Sequence, residues 1–332
     1  MTTTVAHHAL QTFIPITEVV EHCPLCGSGA AETLFKMADR HYDLPGMFAF
    51  ARCQHCQLVR LSPRPTREQL QYYYPDSDYY SYQAPAPAED LERPPRAVRG
   101  LRERIRANVL GSMSYPVPPQ ALWEKAFKAV FVTLFRNRTF FGVSHRFPRY
   151  HPDGRALDIG CGIGVYLNYL KRYGWQVMGV ELNSRAALTA KRLFDIEVFV
   201  GELKNVAFQP ASFDFIHMNH VIEHMVDPVD QLRVVAELLK PGGRLYIGTP
   251  NVESLNRKRS GPHWIHWDPP RHLHLFSPET LRLALHKAGL VVTSLRTAIE
   301  NHYIWEDTYR REEHMHARLT DRPYSSWSAR PR

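Results

Sequence analysis

Apolar positions fall into two regular patterns over the carboxy-terminal half of this chain. From Arg155 onward, short apolar runs alternate with stretches in which apolar residues return every three or four positions, the signatures of buried strands and of amphipathic helices. RALDIG (155–160), WQVMGVEL (175–182), IEVFVGEL (196–203), FDFIHMNHV (213–221), RLYIGTP (244–250) and LVVTSLRT (290–297) read as strands. VYLNYLKRYG (165–174), SRAALTAKRLF (184–194), VDQLRVVAELLK (229–240) and SPETLRLALHKAG (277–289) read as helices, and PGG (241–243) as a turn. Regular β-α alternation implies an α/β fold with a mostly parallel, doubly wound sheet, whose ligands bind at the carboxyl ends of the strands.

Upstream the pattern changes. APAPAEDLERPP (84–95) reads as a linker, and in LWEKAFKAVFVTLF (122–135) Leu122, Trp123, Ala126, Phe127, Val130, Phe131 and Leu134 recur at helical spacing. Lys125, Lys128 and Arg136 fall opposite that stripe. Formal net charge is +8, and residues 84–150 hold 12 Lys and Arg against 5 acids, so nearly all of the excess sits there. Such a helix either packs on the main domain with a solvated basic face or presents a surface to a membrane, a lipid-linked substrate or an acidic polymer. With 332 residues, 44% of them hydrophobic, the chain has room for one full α/β domain and an appendage. No apolar run reaches the roughly 18 residues of a membrane-spanning helix, and MTTTVAHHAL lacks the pattern of a signal peptide, which gives a cytoplasmic enzyme as the expectation. The domains expected are 1–83, 84–150, 151–305 and a tail, 306–332.

Four of the five cysteines form two C-x-x-C pairs, Cys23 with Cys26 and Cys53 with Cys56. Two such knuckles complete the four-sulfur shell of a structural zinc, with no open position for a substrate. Iron suits the same sulfurs; a disulfide framework does not suit a cytosolic chain, and a redox C-x-x-C needs no second copy.

The stretch ALDIGCGIG carries Asp158, Gly160, Gly162 and Gly164 where the first strand gives way to the first helix. Bare backbone there lets a ligand approach main-chain atoms. The dinucleotide fingerprint G-x-G-x-x-G/A fails, because Val165 stands where its third small residue belongs. Glu181 ends the second strand, placed to take the hydroxyls of a ribose.

These motifs, with GVELN, FDFIHMNHVIEH and LKPGGRLYIGTPN in order, resemble the class I S-adenosylmethionine-dependent methyltransferases, a Rossmann-like fold. The two knuckles, LVRLSPRPT and a late WDPPRHLHLFS resemble a bacterial subgroup associated with glycan and natural-product biosynthesis. The resemblance implies that Asp158 and the three glycines hold the methionine portion of S-adenosylmethionine, Glu181 the ribose, and Glu202 and the Leu203 backbone the adenine. It places Asn219 and His220 beside the sulfonium. The implied reaction is in-line methyl transfer, with a sugar, glycan precursor or related metabolite as acceptor. A nucleic-acid methyltransferase and a non-catalytic cofactor-binding scaffold are the alternatives; the basic run carries no recognised RNA-binding signature and is not interleaved as a stacking platform, which disfavours nucleic acid as partner. An alcohol nucleophile needs a base, for which His220, Glu223, His224, His263, His266, Asp268, His272 and His274 are candidates. HVIEHM is expected to open a helix with His220, Glu223 and His224 on one face, either reactive or bracing.

Overall fold

In the computed structural model, residues 14–74, 110–111, 113–115 and 148–297 are described. The expected helix 122–135 and the tail 306–332 lie outside them. They form two compact units: one takes the described residues up to Leu70, Pro250–Arg282 and those from Val292, the other runs from Gln71 to Thr249 and adds Leu283–Val291.

The first unit is built on antiparallel strands. β1 (Thr17–Glu18) pairs with β5 (Arg64–Pro65), and β2 (Ala31–Ala38), β3 (Met47–Cys53) and β4 (Val59–Leu61) join β11 (His274–Leu275) in a sheet of order β11-β4-β3-β2. A one-turn helix, α1 (Arg67–Leu70), follows β5, and α5 (Leu255–Ser260) lies in the returning segment. The pairing of His274 with Arg60 and Leu275 with Val59 brings Pro250–Arg282 into this unit. Phe48, Phe50, Leu58, Leu61, Leu273 and Phe276 form its buried interior. Trp264 and Trp267 are also buried; Trp267 meets Phe35 edge-on at 4.7 Å and Phe50 at 4.9 Å, so the aromatics of HWIHWDPPRHLHLF serve packing.

The second unit holds the parallel sheet, in the order β10-β9-β6-β7-β8: β6 (Arg155–Ile159), β7 (Gln176–Glu181), β8 (Glu197–Val200), β9 (Phe213–Asn219) and β10 (Leu239–Gly248). Among the described residues it carries the helices α2 (Val165–Arg172), α3 (Ser184–Phe194) and α4 (Pro228–Leu238). α3 matches its expected span: the Asn183 side chain accepts from Ala186 N at 2.9 Å at its start, and Ala186, Ala187, Ala190 and Phe194 give it a buried face. Pro at the first position of α4 suits a helix start, where its missing N–H is not needed. α6 (Pro278–Lys287) begins in the first unit and ends in the second.

Strand order reverses between β6 and β9, creating the crevice where open α/β sheets bind ligands. Two expectations change. PGG lies inside β10, where the pairing with β9 shifts register between Leu239 and Arg244, so it is an irregularity in a strand rather than a free turn. LVVTSLRT forms no strand: Gly289 takes φ 78° after α6, and Val291 is 87% exposed, so the apolar run is not drawn into a sheet. Among the described residues no helix is long and apolar enough to cross a membrane.

Candidate active site and metal centre

Between the end of β6 and the start of α2, Gly160, Gly162 and Gly164 adopt φ of 69°, 53° and 80°, a region that strains residues with a Cβ. Protein packing adds a second reason for two of them. A Cβ on Gly160 would lie 2.6 Å from Val221, and one on Gly164 would lie 2.9 Å from the Ala190 Cβ. Bare backbone here is thus required by the turn itself as well as suited to a ligand.

Glu181, the last residue of β7, is buried and braces this turn: its Oε2 accepts from Gly162 N at 2.8 Å and its Oε1 from Asn183 N at 3.0 Å. Burial pushes its carboxyl above the ordinary range against the pull of these backbone donors, and the Asp158 charge adds to the rise. Asp158 sits in β6 opposite His217 of β9, and its Oδ1 lies 2.7 Å from His217 Nδ1. The imidazole is stacked between Tyr166 (3.9 Å, 22°) and Tyr246 (5.1 Å, 11°), and its Nε2 is buried without a hydrogen-bond partner. His217 lies outside the sequence motifs; the signal for it is a polar residue in mid-strand between the apolar Ile216 and Met218.

At the end of β9, the Asn219 Oδ1 is buried and without a partner, and a Cβ on its register neighbour Gly248 would collide with it. His220 takes φ 55°, uncommon outside glycine, with its N–H bonded to Gly248 O at 2.8 Å. No α-helix follows: Ile222–His224 make one 3-10 turn before α4. The positive φ of His220 breaks the expected helical face, yet its Nδ1 still lies 3.1 Å from Oε1 of Glu223. Glu223 is fully buried, and its other oxygen accepts from Thr249 Oγ1 at 2.9 Å. His224 turns elsewhere, its Nδ1 3.0 Å from the hydroxyl of Tyr74, a residue outside every motif in the sequence. Glu202 follows β8 and pairs with Lys204 at 3.0 Å, while Leu203 is buried.

Asp158, the three glycines, Glu181, Glu202, Leu203, Asn219 and His220 therefore belong to one unit, on or following the ends of four adjacent strands. His263, His266, Asp268, His272 and His274 belong to the other. There His272 Nδ1 bonds the His266 carbonyl at 2.8 Å, the His266 and His272 rings stack at 6.2 Å, and Asp268 is taken by Arg271.

In the first unit the two cysteine pairs converge. Cys23 Sγ lies 3.5 Å from Cys56 Sγ and Cys26 Sγ 3.5 Å from Cys53 Sγ, and all four lie within 4.8 Å of one another. A disulfide would bring sulfurs to about 2.05 Å; four thiolates on a tetrahedral zinc at about 2.3 Å stand about 3.8 Å apart. The knuckles are closed by Gly27 N bonding Cys23 O at 2.8 Å and Gln57 N bonding Cys53 O at 3.0 Å, each donor at positive φ. Burial raises the Cys53 thiol, but the backbone N–H groups of Cys56 and His55 prevail and hold it below the ordinary thiol value.

A five-stranded parallel sheet of this order, with a glycine turn after its first strand and an acid ending its second, is the class I, Rossmann-like methyltransferase fold. The chain belongs to the methyltransferase family whose model, described as "Methyltransferase domain", matches residues 128–295. It is 37% identical over 107 residues to a ubiquinone biosynthesis O-methyltransferase of Xanthomonas campestris pv. campestris, covering 30% of this chain and 44% of that one. A protein of the same name from Albidiferax ferrireducens is 35% identical over 105 residues, covering 29% and 41%. The chain thus spans less than half the length of these curated relatives. A solved structure described as an S-adenosylmethionine-dependent methyltransferase, possible histamine N-methyltransferase, from Thermotoga maritima is 30% identical, covers 42% of this chain and 65% of that one, and has a TM-score of 0.36.

Proposed function

We propose that the protein transfers a methyl group from S-adenosylmethionine to an oxygen of a small metabolite, with a sugar, glycan precursor or related metabolite as acceptor, and that the four cysteines hold a structural zinc. The observation that carries the reaction is the buried Glu223 carboxylate behind His220 at the end of β9. A carboxylate on Nδ1 fixes the imidazole's orientation and stabilises it when it takes a proton, which is what a general base for a hydroxyl nucleophile requires. The relatives named as O-methyltransferases support an oxygen acceptor.

The residues fit the cofactor: Asn219 Oδ1 is a buried acceptor in want of a donor, and the glycine turn offers main chain free of side chains. Asp158 and the turn would hold the methionine portion, Glu181 the ribose, and Glu202 and Leu203 the adenine. When bound, the cofactor supplies a methyl made electrophilic by a cationic sulfur. His217 keeps Asp158 oriented, Glu223 keeps His220 oriented, and His220 receives the acceptor's proton while the crevice holds the oxygen in line.

The test is incubation of the full chain with methyl-labelled S-adenosylmethionine and extracted metabolites, followed by mass spectrometry for an acceptor gaining one CH2. With that acceptor, Glu223→Gln should lower kcat by about 10²- to 10⁴-fold while leaving cofactor affinity within twofold. Unaltered kcat in the variant would remove the dyad from the reaction, and label on nitrogen or carbon would refute an oxygen acceptor.

A further inference from the structure

The first unit buries two arginines and supplies carboxylates to one of them. Arg271 is matched on every side: Nε donates to both oxygens of Asp268 at 3.0 and 3.2 Å, Nη1 to Asp39 Oδ2 at 2.9 Å, and Nη2 to Asp39 Oδ1 and Asp268 Oδ1 at 2.6 Å each. Arg60, central in β4 and only 2% exposed, makes one hydrogen bond, from Nη2 to the Val20 carbonyl at 3.3 Å. Its Nε and Nη1 are buried and have no partner. A guanidinium cannot shed its charge, and a buried unpaired cation is strongly destabilising.

Among the described residues, no carboxylate pairs with it. Across the strands Arg60 stands in register with Ala51 of β3 and His274 of β11. Asp39 and Asp268 are committed to Arg271, and Glu18 to Arg64 at 2.7 Å. The segment that gives Arg60 its carbonyl is held by polar ties rather than by apolar burial. β1 is two residues long, Ile16 N donates to Gln69 Oε1 at 2.6 Å, Thr66 N to Ile16 O at 3.1 Å and Val20 N to Ser62 Oγ at 3.0 Å, Glu18 pairs with Arg64, and Ile14, Ile16 and Val19 are 79%, 60% and 70% exposed. Moving it would uncover little apolar surface.

We infer that Arg60 is the receptor for an oxyanion, a carboxylate or phosphoryl group, admitted when the strap Ile14–Val20 shifts. The planar fork of donors on a guanidinium matches two oxygens of either group, and a dry, enclosed position strengthens the bond.

Thermal melting of the full chain in rising inorganic phosphate or acetate, at constant ionic strength, tests this. The wild type should gain Tm saturably with at least one anion; phosphate alone identifies a phosphoryl ligand, and acetate a carboxylate. Arg60→Met should melt at or above the wild type without anion, because it removes an unpaired buried charge, and should bind the anion about 10- to 100-fold more weakly. Should the Met variant fail to fold, Arg60→Lys, which keeps charge and stem but lacks the fork, should fold and respond more weakly than wild type. A wild type with no saturable response to either anion, a Met variant that keeps the response, or a Lys variant with wild-type affinity would overturn the inference.

Discussion

At the scale of single residues, Glu181 is asked to do two things at once. It closes the glycine turn through Gly162 N, and in the proposed function it also takes the ribose hydroxyls. Burial raises its carboxyl pKa, so between the ordinary value and the raised one the folded chain keeps a proton that the unfolded chain has released. Stability of the ligand-free protein therefore falls as pH rises through that window, and the cost is complete above the folded value. Hydroxyl donors favour the ionised form, so cofactor binding works in the opposite sense. Affinity should be full above the raised pKa and weaken as pH falls through it. Glu181→Gln should bind S-adenosylmethionine about 1.5 to 3 kcal/mol more weakly at neutral pH and lose the pH dependence. Calorimetric titrations across the acid range read both effects; equal affinities for the two proteins at every pH would show that the ribose is held elsewhere.

Elements were legible where one local rule was enough. α3 has its cap, its buried alanines and its end in the sequence, and β6, β7 and β9 are short, mostly apolar segments set between helical stretches, so the strands and the glycine turn could be read directly. What escaped depended on distant partners. Nothing near His217 announces Asp158, nothing near His224 announces Tyr74, and the pairing of His274 with Arg60 across more than 200 residues is invisible to periodicity. The segment Asp268–His274 shows what such a distant partner contributes. Arg271 ties it to Asp39, just past the end of β2, and stacks over Tyr42 at 4.8 Å. Burial alone would raise the Asp268 carboxyl, but the charges of Arg271, His41 and His272 outweigh it and hold it well below the ordinary range. That contribution is present above the ordinary carboxylate value and is lost as pH falls through it toward the folded one. Arg271→Met would leave two buried carboxylates without their cation and should destabilise the protein by about 3 to 5 kcal/mol at neutral pH. Urea unfolding should show a smaller loss in mild acid, where the stranded carboxyls take up protons; a loss that grows on acidification would contradict this assignment.

On the scale of the whole molecule, the chain leaves its first unit at Leu70 and returns to it at Pro250. The first unit has short strands, β1, β4, β5 and β11 being two or three residues each, and such a sheet gains much from a metal that joins its knuckles. The parallel sheet of the second unit carries the glycine turn and Glu181 and needs no metal for its own pairing. Freshly prepared protein should therefore contain one zinc per chain. Cys53→Ser, or a chelator, should lower metal content and shift or abolish one calorimetric transition, while S-adenosylmethionine still raises the temperature of the other, because ligand binding stabilises only the unit that binds it. Elemental analysis finding no metal in unchelated wild type would rule out the four-thiolate centre. Loss of both transitions together would instead show that the two units unfold as one, with the zinc holding the cofactor site as well as its own sheet.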